Sequence, residues 1–386
     1  MTAERRPYLA AADVLRVFAV GLVAWFHIWQ QSWLDPGFRL ASQWIDLQSV
    51  VRRGYMLVDL MLLLSGFLLY LPYARRLRSG KKPLDIKAFY KKRLVRILPS
   101  YLFAVVVAFV ISYGKGDAYG GTAALWKDLL AHLSFTHTFS YRNYVWTSLN
   151  VALWTLAIEM QFYLIFPWVA RAFSRRTGLT FGVMTGIALI FRLFVGGMND
   201  PTIWFNQLPG MLDLYALGML SAHVLAQREE QSERPWWNAL AALLCLAGIC
   251  QILHLQSPAN GRETQILQIL WRLPLGALGA GFLYWGCQWP SVLDTVLGNR
   301  LTRFLAGVSY NFYIWHQYLA VKLKEWHIPA YTAESLPQAS EGRLWQQKYT
   351  ACCFLGALAV SVLLTYLLEK PMTRLFAREK TPTKAN

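Results

Sequence analysis

Residues 9–31 read LAAADVLRVFAVGLVAWFHIWQQ, and in that stretch only Asp13, Arg16 and His27 are ionisable. A helix needs ~20 mostly apolar residues to cross the hydrocarbon core, so the stretch predicts a membrane span. Nine further stretches read the same way: 50–73, 94–113, 149–170, 179–198, 207–227, 236–255, 266–287, 304–322 and 349–369. Segment 122–141 is also apolar, but Lys127, Asp128 and His132 interrupt it, so it is expected as a surface or re-entrant helix. The expected fold is all-α, a polytopic membrane bundle of about ten transmembrane helices. Residues 1–373 form the membrane domain, and 374–386 are expected as a disordered cytoplasmic tail.

Composition agrees. Hydrophobic residues make up 55 % of the 386 and charged residues 15 %, whereas soluble domains carry ~25 % charge. This excludes a soluble enzyme, a disordered chain and a secreted disulfide scaffold. The net charge of +17 would suit nucleic acid, but position assigns it otherwise. With ten spans and both termini inside, the inner segments carry 24 Lys and Arg and the outer loops 8. The positive-inside rule therefore puts both termini in the cytoplasm. The run RRLRSGKK from Arg75 is a topology anchor on anionic lipid, and no nucleic-acid partner is implied. The first span contains ionisable residues and lacks a small-residue cleavage site, unlike a signal peptide. The five cysteines all fall within predicted spans without metal-ligand spacing, so neither a metal nor a disulfide framework is expected.

Ionisable side chains inside spans are costly and usually face a cavity or a partner. Here His27, Asp59, Glu159, Arg192, Asp213, Arg272 and His316 come from seven spans and fall in their outer halves, which suggests one hydrated cavity opening outward. Arg16 sits deeper, ~22 Å from the outer end of its span. Eleven residues separate Arg16 from His27. That is 20° beyond three full turns, so the two share a face and stand ~16 Å apart along the axis. Histidine is the side chain best suited to proton transfer near neutral pH. On the inner side, KKRLVRILPSY sets Arg93 and Arg96 on one helix face, where guanidinium groups suit a polyphosphate.

Taken in order, these segments resemble the acyltransferase-3 family of bacterial integral-membrane O-acyltransferases, from Arg16 to Pro371. The first span carries the family's Arg-x10-His as Arg16 and His27. VDLMLLLSGFLL at 58–69 is close to its VDLFFVLSGFLL. KKRLVRILPSY matches Arg-x-x-Arg-Ile-x-Pro through Arg93, Arg96 and Pro99. WTLAIEMQFY matches Trp-Ser-Leu-x-x-Glu-x-x-Phe-Tyr through Trp154, Glu159 and Tyr163. SYNFYIWH, ending at His316, resembles SY-x-x-Y-x-x-H, and LEKP supplies a terminal Glu-x-Pro at Glu369 and Pro371. One departure is Met211, where the family often has Arg.

The resemblance implies transfer of an acyl group, acetyl foremost, from cytoplasmic acyl-CoA to a hydroxyl of an extracytoplasmic glycan, glycolipid or lipophilic natural product. It implies no permanently bound cofactor, with acyl-CoA as co-substrate and the bacterial cytoplasmic membrane as location. His27 is then the general base, Arg16 its supporting cation, and Arg93 and Arg96 hold the CoA phosphates. Asp59 or Glu159 orients the imidazole. Arg192, Arg272, Tyr163 and His316 are candidates for acceptor or oxyanion contacts. Some members carry an extracytoplasmic hydrolase-like domain; none is read here, so a second transfer protein would be a separate partner. Trp29, Trp33, Trp44, Trp146, Trp204 and Trp326 near the outer face suit sugar stacking or an interfacial belt. The competing class is a transporter or flippase for a glycan or lipid-linked substrate, which intramembrane charges also suit.

Overall fold

A computed structural model describes residues 9–41, 43–81, 85–114, 120–228, 234–256, 261–333 and 336–378. Helix α1 spans Ala10–Ser32, α2 Val58–Arg78, α3 Ile86–Tyr113, α4 Thr122–Leu133, α5 Trp154–Arg175 and α6 Thr177–Gly196. Then follow α7 (Leu212–Gln227), α8 (Pro235–Leu255), α9 (Gly261–Gly286), α10 (Arg300–Glu325), α11 (Gly342–Leu364) and α12 (Lys370–Arg378). Among the described residues the only strands are β1 (Gly37–Leu40) and β2 (Gln43–Asp46), an antiparallel hairpin with Arg39 opposite Trp44. The protein is an all-α polytopic membrane bundle.

Among the described residues, nine helices are long and apolar enough to cross a membrane. The tenth expected span lies within α10, which is long enough but more polar, because its polar groups turn inward: Ser309, Asn311 and His316 are buried. Segment 122–141 resolves into α4, a 3-10 turn at His137–Phe139 and the start of a short helix, Tyr141–Tyr144. The expected tail is helical where described, since α12 runs to Arg378; residues 379–386 lie outside the described residues. A single π turn, Thr365–Glu369, joins α11 to α12. All five cysteines are free.

The core is tightest where α2 meets α7. A Cβ on Gly218 would fall on the carbonyl oxygen of Leu63 and 2.8 Å from the nitrogen of Phe67. A Cβ on Gly66 would lie 2.5 Å from the carbonyl oxygen of Tyr215. The two glycines thus let two backbones touch, as small residues do where membrane helices pack. This contact fixes α2, and with it Asp59 and Ser65. We expect Gly218→Ala to lower the thermal midpoint in detergent by several degrees, since overpacking costs ~1–3 kcal/mol. Gly182→Ala on α6, where nothing lies within 4 Å, should leave it unchanged. Equal midpoints for the two variants would refute the close-approach argument.

A second fixed point lies outside the spans. The rings of His132 and His137 stack with centroids 3.9 Å apart and planes 4° apart. Asp128 sits 3.1 Å from His132 Nδ1 and accepts from the Thr147 hydroxyl (2.7 Å) and the Ser148 amide (2.9 Å). Burial, and then the neighbouring His132, hold the His137 imidazole well below its ordinary value near 6.5. The folded state therefore favours the neutral ring, and its stabilisation is present above pH ~6.5 and lost as pH falls below it. Hydrogen exchange across 128–153 should quicken as pH drops from 7.5 to 5.5, after correction for the intrinsic rate. His137→Phe should flatten that dependence, and an unchanged profile would count against the stacked pair as its cause.

Candidate active site

Two cavities lie along α1. The inner one, about 140 Å³, is lined by Arg16, Arg93, Arg96, Glu159, Tyr163 and Glu369, with Ser65 and Tyr310 beside them. The outer one, about 380 Å³, is lined by His27, Asp59, Tyr144, Trp154, Asn206 and Gln268 among others. Val58 and Tyr313 line both. The shared face expected of Arg16 and His27 thus meets a different chamber at each end.

In the inner cavity, three guanidinium groups face two carboxylates. Arg93 lies over the rings of Phe89 (5.7 Å) and Tyr163 (5.8 Å), which orient it. Arg96 is exposed, and Arg16 lies 3.8 Å from Asp13. Glu159 accepts hydrogen bonds from the Ser65 hydroxyl (2.6 Å) and the Tyr163 hydroxyl (3.0 Å). The π turn carries Glu369 to the cavity, where it accepts from Asn311 (2.9 Å). The Tyr310 hydroxyl donates to the Ile97 carbonyl (2.9 Å), tying α10 to the turn that bears Arg96. The arrangement is a net-positive cluster in an otherwise largely apolar chamber, suited to an anion that carries an apolar arm.

In the outer cavity, His27 is half-buried, with Nδ1 3.0 Å from the Gln30 side-chain oxygen. An amide oxygen only accepts, so Nδ1 carries the proton and Nε2 is left as the basic nitrogen. The His316 ring lies 5.3 Å from it, centroid to centroid. His316 Nδ1 donates to the Tyr313 carbonyl (2.6 Å), and its Nε2 is buried without a hydrogen-bond partner among the described residues. Asn206 donates to the Tyr144 hydroxyl (3.1 Å). Burial pushes the Tyr144 phenol up to about 12, so it stays a neutral donor and acceptor.

The seven ionisable groups expected in one outward cavity are divided instead. Arg272 Nε binds Asp59 Oδ2 at 3.0 Å, and its other nitrogens reach the Phe205 carbonyl (3.2 Å) and Asn206 Oδ1 (3.1 Å). Arg192 pairs with Asp213. Neither arginine lines either of these two cavities, and their charges are matched within the bundle. Glu159 and Tyr163 open on the inner cavity with Arg16. Neither carboxylate weighed as the orienting group of His27 reaches its ring: Asp59 is taken by Arg272 and Glu159 by Ser65 and Tyr163. Gln30, one turn on, holds the ring. Met211 is fully buried as a packing residue. Tyr144, Asn206 and Gln30 carried no signal in the sequence reading, because polar residues of loops and helix ends have no periodicity to mark them.

A family model for the acyltransferase domain of the acyltransferase-3 type matches residues 9–369, and the chain belongs to that family. Among similar proteins, ORF330 of Acidianus two-tailed virus is 25 % identical over 82 % of this chain and 84 % of its own length. Peptidoglycan O-acetyltransferase OatA of Listeria monocytogenes is 24 % identical over 82 % of this chain and 50 % of its own. O-acetyltransferase OatA of Staphylococcus aureus is 30 % identical over 42 % of this chain and 24 % of its own. The chain thus spans about half, or less, of the two OatA proteins. No solved structure matches significantly. The protein is a multi-pass membrane acyltransferase.

The ion-pair assignment predicts an asymmetry. Asp59→Asn leaves Arg272 buried without its counter-charge and should cost ~3–5 kcal/mol. Asp59→Asn with Arg272→Gln should recover more than half of that loss, measured as thermal midpoint in detergent. A double variant less stable than Asp59→Asn would show that Arg272 does more than balance Asp59.

Proposed function

We propose that the protein transfers an acyl group, acetyl foremost, from cytoplasmic acyl-CoA to a hydroxyl on an extracytoplasmic glycan, glycolipid or lipophilic natural product. One observation carries the reading: a single helix presents Arg16 to one chamber and His27 to the other. The orientation comes from the basic inner segments, which set the arginine chamber on the cytoplasmic side. Burying the nucleotide phosphates in lipid would be prohibitive. They rest instead on Arg93 and Arg96, while the thin pantetheine arm extends along α1 past Arg16.

At the His27 level the acceptor oxygen attacks the thioester carbonyl. His27 Nε2 takes the hydroxyl proton as the C–O bond forms, the C–S bond breaks, and the proton returns to the departing thiolate to give free CoA. Gln30 fixes the imidazole tautomer. Neutral groups around the outer chamber, Asn206, Tyr144 and Gln268 among them, hydrogen-bond the acceptor. Removing a general base costs ~10²–10⁴-fold. His27→Ala should therefore abolish base-labile label transferred from radiolabelled acetyl-CoA to membrane material while the thermal midpoint stays put. More than about a tenth of wild-type label would refute the role. Arg93→Ala and Arg96→Ala should weaken acyl-CoA binding by titration, and unchanged affinity would reassign both to membrane anchoring.

A further inference from the structure

Of the residues lining the two cavities, only Val58 and Tyr313 line both. Val58 is the first residue of α2 and 6 % exposed; Tyr313 lies on α10 and is 4 % exposed. They come from different helices, and each borders both chambers, so the boundary between the chambers runs along them. We propose that Val58 and Tyr313 form the constriction through which the acyl thioester reaches the outer chamber, and that their spacing selects unbranched over branched acyl groups. The proposal rests on the transfer reading above and adds its specificity element.

The selection is by width. The sulfur-proximal half of the pantetheine arm, β-alanine joined to cysteamine, is an unbranched chain, the dimethyl-bearing carbon standing near the phosphate end, and an acetyl or other straight acyl group is no thicker than that half. A slot that closes around the arm therefore admits straight acyl groups whatever their length, and resists one branched next to the carbonyl. Both walls are held in place. Val58 is β-branched in a helix, with one strongly preferred χ1 rotamer, and its backbone follows the 3-10 turn Gly54–Leu57 packed under α1, where a Cβ on Gly54 would meet the Leu22 carbonyl. Tyr313 is buried, with its hydroxyl hydrogen-bonded to the Thr155 side chain and its carbonyl accepting from His316 Nδ1. That side of the slot therefore belongs to the residue whose backbone positions His316 beside His27.

Two substitutions of Val58 test this, using the full chain in native membranes with radiolabelled acetyl-CoA and isobutyryl-CoA as donors. Val58→Phe should lower acetyl transfer at least tenfold while the dissociation constant for CoA stays within twofold, since the phosphates bind on the near side of the slot. Val58→Ala, which adds no bulk, should lower the acetyl-to-isobutyryl ratio of kcat/KM at least fivefold. Acetyl transfer by Val58→Phe within twofold of wild type, or a ratio in Val58→Ala within twofold of wild type, overturns the proposal. The Val58→Ala arm decides the case even where Val58→Phe loses CoA binding through misfolding. A wild-type protein that forms no ester from acetyl-CoA would instead overturn the transfer reading itself, a different result from active protein with indifferent variants.

Discussion

Charge buried in a medium without water must find opposite charge, and this constraint organises the bundle. Arg192 on α6 meets Asp213 on α7, and Arg272 on α9 meets Asp59 on α2. Four helices are thereby joined two by two, with α2 and α7 joined again by the Gly66–Gly218 contact. An ion pair of this kind adds little net stability over an apolar pair of the same shape, but either partner alone is strongly unfavourable. Its value is specificity: only one register of these helices leaves no charge unmatched. Arg272 extends the effect outward, because its remaining donors fix Phe205 and Asn206, and Asn206 and Phe205 line the chamber that holds His27.

On that scaffold the division of labour between the chambers follows from their chemistry. The inner one holds charged groups, the outer one mainly neutral hydrogen-bonding groups and one imidazole. The proposed polyanionic donor suits the first environment and a hydroxyl-bearing acceptor the second. α1 contributes to each because eleven residues bring the helix back to nearly the same face. The stagger along the axis, not proximity, is what the Arg16–His27 spacing encodes.

The sequence made the spans legible because twenty apolar residues in a row have few other uses, and it made Arg16, His27, Arg93 and Arg96 legible because charge in such a run is rare. Both sets fall where that reasoning puts them relative to the helices. It was the partners that stayed hidden. Nothing in residues 59 and 272 says that they meet across 213 positions, so the sequence could not show that Asp59, which lines the chamber of His27, is paired with Arg272. Depth along a helix also proved a poor guide to which chamber a side chain enters, because depth carries no azimuth: Glu159 lies as deep as Asp59 but turns to the inner side. α10 shows the converse. Its polar residues lower its hydropathy, yet they do so because they face inward, and the helix is central to both chambers.

The carboxylates of the inner chamber have a further consequence for the proposed cycle. Glu159 and Glu369 stand among three arginines, and each is held by neutral donors, Ser65 and Tyr163 for one, Asn311 for the other. An empty chamber with three guanidinium groups and no counter-charge would be self-repelling. With two carboxylates it is close to balanced, and a small positive excess remains to attract an anion. In the proposed cycle phosphates would join Arg93 and Arg96, while the carboxylates stay anchored by their hydroxyl and amide donors.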